Sequence, residues 1–135
     1  MHKVYFSLGS NLGDKEGNLR EAIKKMEKLI GVVEHQSAFY VTQPWGFLSE
    51  HSFVNAAACC LTPLKPREVL QLTQQIEREL GRKHKSHDGI YHDRLIDIDI
   101  LLYDDLKVDE PDLKIPHPLM CERDFVMKPL SEILS

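Results

Sequence analysis

The sequence predicts an α+β fold with the element order β-α-β-β-α-β. Four stretches rich in β-branched and aromatic residues indicate strands, two stretches with apolar residues at helical spacing indicate helices, and glycine or proline stands at several junctions. This order is that of the ferredoxin-like sandwich, in which a mostly antiparallel sheet has its helices packed on one face. The opposite face is then left for a site. A length of 135 residues suits one domain, so we expect residues 1–135 to form a single unit.

The first part of the chain is predicted to hold three strands and one helix. "KVYFSL" (3–8) has the composition of a strand and runs into Gly9 at a turn. A helix follows and is capped near Gly31, because apolar residues recur at helical spacing at Leu19, Ile23, Met26 and Ile30. "VVEHQSAFYVT" (32–42) and "SFVNAAACCL" (52–61) are predicted as the second and third strands, separated by a loop that contains proline and glycine.

A second helix and a long loop follow. The helix is predicted over residues 66–80, where Pro66 suits the first turn and the apolar stripe consists of Val69, Leu72, Ile76 and Leu80. Residues 82–94, "RKHKSHDGIYHDR", are polar and basic and too long for a tight turn. We therefore predict a functional loop there.

The last part of the chain begins with the fourth strand, within "HDRLIDIDILLYDD" (92–105). A short final strand is predicted near "LKVDE" (106–110). "CERDFVMKPLSEIL" (121–134) has the pattern of a closing helix, interrupted or bent near Pro129 because proline lacks the N–H that a helix interior needs.

Composition excludes several classes of function. The net charge of −4 argues against non-specific binding to polyanions, which depends on many lysines and arginines, so we expect no nucleic-acid partner. Three cysteines without a CxxC pair argue against a disulfide framework and favour the reducing cytoplasm. "MHKVYFSLGS" has no long apolar stretch, and nowhere do about 18 consecutive apolar residues occur. We expect neither a signal peptide nor a membrane span.

Two carboxylates interrupt the apolar fourth strand. Because side chains alternate along a strand, Asp97 and Asp99 are predicted to share one face with Leu95, Leu101 and Tyr103, opposite a face made of Ile96, Ile98, Ile100 and Leu102. Residues two apart on a strand lie roughly 7 Å apart, a spacing that suits one or two hard cations. The alternative is a solvated surface pair that meets Arg94 or nearby lysines. We favour a metal, because the pair stands among bulky apolar neighbours.

Magnesium binds few protein carboxylates and completes its octahedron with water and phosphate oxygens, so the pair suggests a nucleoside triphosphate substrate. Basic residues that suit phosphates bracket the strand: Arg82, Lys83, His84, Lys85, Arg94, Lys114, His117 and Arg123. For the basic residues within 82–94, a solvated basic loop is about as good an explanation. No GxxxxGK[ST] motif occurs, and we give the turn "GSNLG" little weight. The histidine spacing matches no standard zinc site.

Several motifs together resemble one family. They are "GSNLG" (9–13), "FYVTQPWG" (39–46), "FVNAA" (53–57), "QQIERELGR" (74–82), "DRLIDIDILLY" (93–103), "IPHPLMCERDFV" (115–126) and "KPLSEI" (128–133). In this order they resemble 6-hydroxymethyl-7,8-dihydropterin pyrophosphokinase, an enzyme of folate biosynthesis. The resemblance implies a ferredoxin-like fold, transfer of pyrophosphate from ATP to the pterin hydroxymethyl group with release of AMP, and two Mg²⁺ ions.

The resemblance also implies roles for individual residues. By resemblance to the family, the metal ligands are Asp97 and Asp99, and the catalytic residues are these two together with Arg82 and Arg94. Its ATP-binding residues are Gln74, Glu77, Arg82, Arg94, Ile100, Lys114, His117 and Arg123. Its pterin-binding residues are Thr42, Gln43, Trp45, Phe53, Asn55, Asp97 and Phe125. The sequence departs from the family pattern at His84, Tyr91 and Pro118.

Other interpretations stay open at this point. Asn55 in a strand suits a pterin ligand or a satisfied structural amide, and Gln74 and Glu77 are either exposed or face a ligand. An RNA-recognition module has the same element order, and a metal or small-molecule sensor without catalysis is a third possibility. For the enzyme we expect a monomer whose loops 43–52 and 82–92 close over both substrates.

Overall fold

A computed structural model of the chain describes residues 1–42, 52–81 and 95–134. Its elements, in chain order, are β1 His2–Ser10, α1 Lys15–Leu29, β2 Val32–Gln36, β3 Tyr40–Thr42, β4 Phe53–Thr62, α2 Pro66–Gly81, β5 Asp97–Tyr103, β6 Val108–Glu110, β7 Leu113–Ile115, a 3₁₀ turn Met120–Glu122 and α3 Asp124–Ile133. The predicted loops 43–52 and 82–92 lie almost wholly outside the described residues.

The main sheet has the strand order β2-β4-β1-β5, and β3 pairs with β4 beside β2. All of the pairings in it are antiparallel. If β2 and β3 are counted as one interrupted strand, this order is that of the ferredoxin-like sandwich, which confirms the predicted fold class. The sequence predicted that strand as one continuous stretch. Instead regular strand pairing with β4 is interrupted between Gln36 and Tyr40. Within this gap the backbone N–H of Ser37 donates to the carbonyl of Ala57, and Ser37 Oγ accepts from the backbone N–H of Ala57.

Helices α1 and α2 cover one face of the sheet and form the larger core. The predicted stripe of α1 is buried throughout, and that of α2 is buried or packed against the core. Gly31 ends α1 as expected, and close packing explains the glycine. A Cβ at this position would lie 2.0 Å from the carbonyl oxygen of Leu61 in β4.

The third helix lies on the opposite face, which is therefore free along only part of its length. Residues of α3 and the 3₁₀ turn bury a second cluster against the sheet: Tyr5, Ala57, Cys59, Leu101, Met120, Val126, Leu130 and Ile133. The helix runs through Pro129 without interruption. The end of this face that carries Gly9, Asn55 and Asp97 continues beyond the cluster and holds polar side chains.

A bulge in β5 corrects the predicted alternation of its side chains. Tyr5 pairs with Leu102 and Phe6 with Ile100, so Leu101 is an extra residue in the ladder. Leu101 and Leu102 consequently both pack in the second cluster, whereas Tyr103 turns into the helix-covered core, where its hydroxyl donates to the carbonyl of Leu64. The predicted faces hold from Ile96 to Leu101 and are exchanged beyond the bulge.

The strand predicted near 106–110 is β6, and it pairs with β7, which the sequence did not reveal. Arg67 at the start of α2 donates to Glu110 and to Asp112 and so ties this hairpin to the helix. Within the described residues, none of the helices is both long and apolar enough to cross a membrane.

Candidate active site

The polar end of the second face is built from strands whose residues stand directly opposite one another. Tyr40 of β3 pairs with Asn55 of β4, Asn55 pairs with Gly9 of β1, and Gly9 pairs with Asp97 of β5. Paired residues point to the same face of a sheet, so these four form a row across four strands, called here the Asp97 row. Asp99 stands one row further along β5, opposite Ser7.

Both aspartates are half-buried and lie on the same face, as the alternation before the bulge requires. Their backbone is anchored from behind. The Oε2 atom of Glu77 in α2 accepts a hydrogen bond from the backbone N–H of Ile98 at 2.8 Å, between the two aspartates. Glu77 is itself buried, so the interpretation that it is a merely exposed helix residue is wrong. Gln74, one turn earlier, is exposed. Glu77 thus fixes the strand that presents the carboxylates.

Gly9 leaves room for the side chain of Asn55. A Cβ on Gly9 would lie 2.8 Å from Oδ1 of Asn55 and 3.6 Å from Cδ1 of Phe53. Asn55 is only 3% exposed, so its amide has little space to move elsewhere. The bare backbone of Gly9 therefore allows the Asn55 amide to lie against β1, on the side of the sheet that carries Asp97.

A second group of predicted residues lies between the end of β7 and the first turn of α3. His117 donates its backbone N–H to Leu101 at 3.0 Å, and its Nδ1 accepts from the backbone of Leu119 at 3.2 Å. Burial and the nearby Arg123 lower the pKa of His117, while Asp97 opposes that shift. With Nδ1 as an acceptor, the neutral ring carries its proton on Nε2.

Arg123 and Phe125 complete this group. The guanidinium of Arg123 lies over the ring of Phe125, 5.6 Å from its centroid. Asp97 and Arg123 both act on the pKa of His117, so the predicted carboxylate and guanidinium lie within electrostatic range of the imidazole. The structure therefore brings together one acidic, one basic and one aromatic part of the predicted site.

The remaining predicted residues are placed less centrally. Phe53 is half-buried beside Gly9, and Thr42 ends β3. Ile100 is buried in the helix-covered core, so its side chain lies on the wrong face for a ligand beside the aspartates. Lys114 is exposed and donates to Asp109 at 2.6 Å within the β6-β7 hairpin. Four predicted residues lie outside the described ranges: Gln43, Trp45, Arg82 and Arg94.

The turn "GSNLG" is part of the site's framework, contrary to the little weight that the sequence gave it. Ser10 and Asn11 are fully buried immediately after Gly9. The side-chain amide of Asn18 donates to Ser10 Oγ at 3.2 Å and to the carbonyl of Leu12 at 2.9 Å. The signal was the motif itself, which places small and amide residues at the end of a strand beside the aspartates.

The fold and the site together define a class: a ferredoxin-like α+β domain with two aspartates on one face of its sheet and basic and aromatic residues near one of them, as suits an enzyme acting on phosphate groups. The family model described as 7,8-dihydro-6-hydroxymethylpterin-pyrophosphokinase matches residues 5–135. The chain therefore belongs to this pyrophosphokinase family.

Similar proteins agree with this assignment. The chain is 52% identical to the 2-amino-4-hydroxy-6-hydroxymethyldihydropteridine pyrophosphokinase of Porphyromonas gingivalis, over 96% of this chain and 89% of that protein. It is 43% identical to the Bacillus subtilis enzyme of the same name, over 96% of this chain and 77% of that protein. For the Aquifex aeolicus enzyme the identity is 41%, over 98% and 81% of the two chains.

A solved structure confirms the fold. The crystal structure of an HPPK-DHPS protein in complex with substrates superposes with a TM-score of 0.73 at 15% identity, covering 98% of this chain and 40% of that one. The family match and the curated relatives show that the chain is an enzyme that transfers pyrophosphate from ATP to 6-hydroxymethyl-7,8-dihydropterin in folate synthesis, giving the pterin diphosphate and AMP. The RNA-binding and sensor alternatives give way to this function.

Proposed function

We propose that the transfer requires Mg²⁺ and that Asp97 and Asp99 hold two ions. The observation that carries this proposal is the shared orientation of the two half-buried carboxylates on β5, one of them in the Asp97 row. The backbone N–H of Ile98, between the two aspartates, donates to Glu77 and holds this part of β5 against α2. Two like charges so placed are stabilised by a divalent cation between them.

The donor set fits magnesium. In the part of the chain that the structure describes, no group of three or more His, Cys, Asp or Glu residues is arranged to hold a metal by itself. A site of two carboxylates with room for water and phosphate oxygens is what Mg²⁺ accepts, whereas zinc typically takes three or four protein ligands, with His and Cys prominent among them. When bound with ATP, the ions would neutralise the triphosphate and favour attack on its β-phosphorus.

We propose that His117 and Arg123 receive the nucleotide. The neutral His117 ring offers an Nε2–H donor, and Arg123 offers a guanidinium fork that matches phosphate oxygens. In nucleotide binding, Glu77 would act chiefly by holding β5 in place, and Ile100 would act through its backbone because its side chain lies in the core. The other proposed ATP-binding residues are Gln74, Arg82, Arg94 and Lys114, the last after it leaves Asp109.

The pterin is proposed to lie along the Asp97 row. Adjacent strands are about 4.8 Å apart, so Asn55 on β4 and Asp97 on β5 are separated by roughly 10 Å, which a bicyclic pterin with its hydroxymethyl arm spans. The buried Asn55 amide would bond the rim of the ring, and the hydroxymethyl group would reach Asp97. The other proposed pterin-binding residues are Thr42, Gln43, Trp45, Phe53 and Phe125.

In this arrangement the protein accelerates transfer mainly by positioning. Asn55 orients the pterin so that its hydroxyl oxygen points toward the carboxylates, and His117 and Arg123 hold the triphosphate against the same edge of the sheet. Arg82 and Arg94 are proposed to stabilise charge on the group being transferred. No side chain needs to form a covalent bond with either substrate.

We further propose that residues 1–135 act as one domain, as a monomer and in the cytoplasm. The three cysteines are free, with Cys59 and Cys60 buried, which agrees with a reducing compartment. Light scattering coupled to gel filtration at micromolar concentration tests the oligomeric state. A single species of 15.6 kDa supports the monomer, and a species of twice that mass contradicts it.

The experiment for the metal proposal is a steady-state assay of AMP release. Asp97→Asn and Asp99→Asn keep the size of the side chain and remove its charge, so each should lower turnover by at least about 10²-fold at saturating Mg²⁺. Asp105→Asn, an exposed aspartate just beyond the same strand, is the matched control and should retain wild-type turnover. Wild-type turnover in either active-site variant, or undiminished turnover after chelation of divalent ions, contradicts the proposal.

A further inference from the structure

Glu132, near the end of α3, bonds to the segment that becomes β3. Its Oε1 accepts a hydrogen bond from the hydroxyl of Tyr40 at 2.5 Å, and its Oε2 accepts from the backbone N–H of Ala38 at 2.8 Å. Both bonds lower the pKa of Glu132, and the bond from Tyr40 has the larger effect. One carboxylate thus holds both the approach to β3 and its first residue.

Apart from its pairing with β4, few contacts hold β3 in the part of the chain that the structure describes. It is three residues long and pairs only with β4 within the described residues, and its central Val41 is 70% exposed. Upstream, Ser37 anchors the chain to Ala57 through the Ser37 backbone and hydroxyl. Glu132 supplies the next anchor along the chain, just where β3 begins.

The position of β3 matters because Tyr40 stands in the Asp97 row, directly opposite Asn55. A shift of β3 along or away from β4 would therefore disturb the neighbour of Asn55. The same strand ends at Thr42, one of the proposed pterin-binding residues. The helix that carries Glu132 also carries Phe125 near its start, so the two bonds connect two walls of the proposed pterin site.

We propose that Glu132 is a positioning residue for the pterin substrate, which acts by holding Tyr40 and β3 in register opposite Asn55. This inference rests on the proposed placement of the pterin along the Asp97 row. A charge-assisted bond to a phenol and a second bond to the backbone give the carboxylate a fixed geometry. In this geometry each donor meets a different oxygen, and glutamine replaces one of the two oxygens with an NH₂ donor and removes the charge, so it cannot reproduce both bonds.

The test compares Glu132→Gln, Tyr40→Phe and the double variant in steady-state kinetics with each substrate varied in turn. Each single variant should raise the KM for the pterin about three- to tenfold, leave the KM for ATP within about twofold, and change kcat little. Because both substitutions act on the same Tyr40–Glu132 bond, the double variant should raise the pterin KM by less than the product of the two single effects.

The matched control is Glu79→Gln on α2. Glu79 is also exposed and also accepts two hydrogen bonds, in its case from the side chains of Lys25 and Gln75, both at 3.0 Å. This variant should keep the wild-type KM for both substrates. A merely structural role for Glu132 predicts a lower melting temperature with the pterin KM unchanged, and that result overturns the inference.

The Asn55→Ala variant tests the proposed placement of the pterin separately from the role of Glu132. If Asn55→Ala leaves the pterin KM unchanged, the placement of the pterin is wrong and the inference fails with it. If Asn55→Ala raises that KM and the Glu132 and Tyr40 variants do not, the inference alone fails. Parallel increases in the KM for pterin and ATP in the Glu132→Gln enzyme also contradict it, because they indicate a general disturbance of the site.

Discussion

Replacement of Gly9 by alanine tests whether the bare backbone of β1 positions the pterin-binding amide. The new Cβ would lie 2.8 Å from Asn55 Oδ1, so the amide oxygen must retreat by about 0.6 Å to reach ordinary contact near 3.4 Å. Asn55 is almost fully buried and cannot swing into solvent. The amide therefore has to turn or tilt away from the row in which the pterin is proposed to lie.

The size of the effect follows from that displacement. A misplacement of about 1 Å in a site costs up to about 10²-fold in rate, so we expect kcat/KM for the pterin to fall about tenfold. Overpacking typically costs about 1–3 kcal/mol, and replacing glycine in a strand returns about 0.5–1 kcal/mol. The Gly9→Ala protein should consequently lose about 1 kcal/mol of its free energy of unfolding and remain folded.

Initial rates of AMP formation with the pterin varied at saturating Mg·ATP measure the first effect, and urea unfolding measures the second. The decisive comparison is the same substitution in the Asn55→Ala background. There the clashing oxygen is gone, so Gly9→Ala should have almost no further effect on kcat/KM. An equal loss in both backgrounds, or wild-type kcat/KM in Gly9→Ala alone, would refute the reasoning.

Three further outcomes are expected. Glu77→Ala leaves a backbone N–H of β5 without its acceptor and should lower the free energy of unfolding by about 1–3 kcal/mol in urea, whereas Gln74→Ala should not. The backbone N–H of Lys3 holds the pKa of Asp104 below its usual value, so the charged Asp104 carboxylate stabilises the folded state. This stabilisation is present above the pKa that Asp104 has in the unfolded chain and is lost as pH falls through its folded pKa. Below about pH 4 the melting temperature should therefore fall more steeply for the wild type than for Asp104→Asn. In thiol titration one cysteine, exposed Cys121, should react quickly, because Cys59 is buried and burial raises the pKa of Cys60 to about 12; three fast thiols would contradict this.

Local patterns predicted most of the architecture because they depend on neighbours in sequence. The stripes of α1 and α2, the glycine after α1 and the shared face of Asp97 and Asp99 all follow from helical or strand periodicity, and the structure has each of them. The side of the sheet on which α3 packs does not follow from periodicity, because either face would bury its apolar stripe.

Features that arise from pairing between distant strands escaped the sequence. The bulge at Leu101 depends on how β5 fits against β1, and no residue type in "DIDILLY" marks it. Glu77 looks like an exposed helix residue until β5 is placed beside α2 with a backbone N–H facing outward. The bonds from Glu132 to Tyr40 and Ala38 join parts of the chain more than 90 residues apart.

The central claim is that the paired carboxylates of β5 receive ATP together with divalent magnesium. Isothermal titration of the protein with ATP, in Mg²⁺ and then in a chelator, tests it most directly. Binding in Mg²⁺ that disappears with chelator and in the Asp97→Asn/Asp99→Asn double variant, but persists in Asp105→Asn, is the predicted result. Equal affinity for ATP in all of these samples, with circular dichroism showing each protein folded, would contradict the claim.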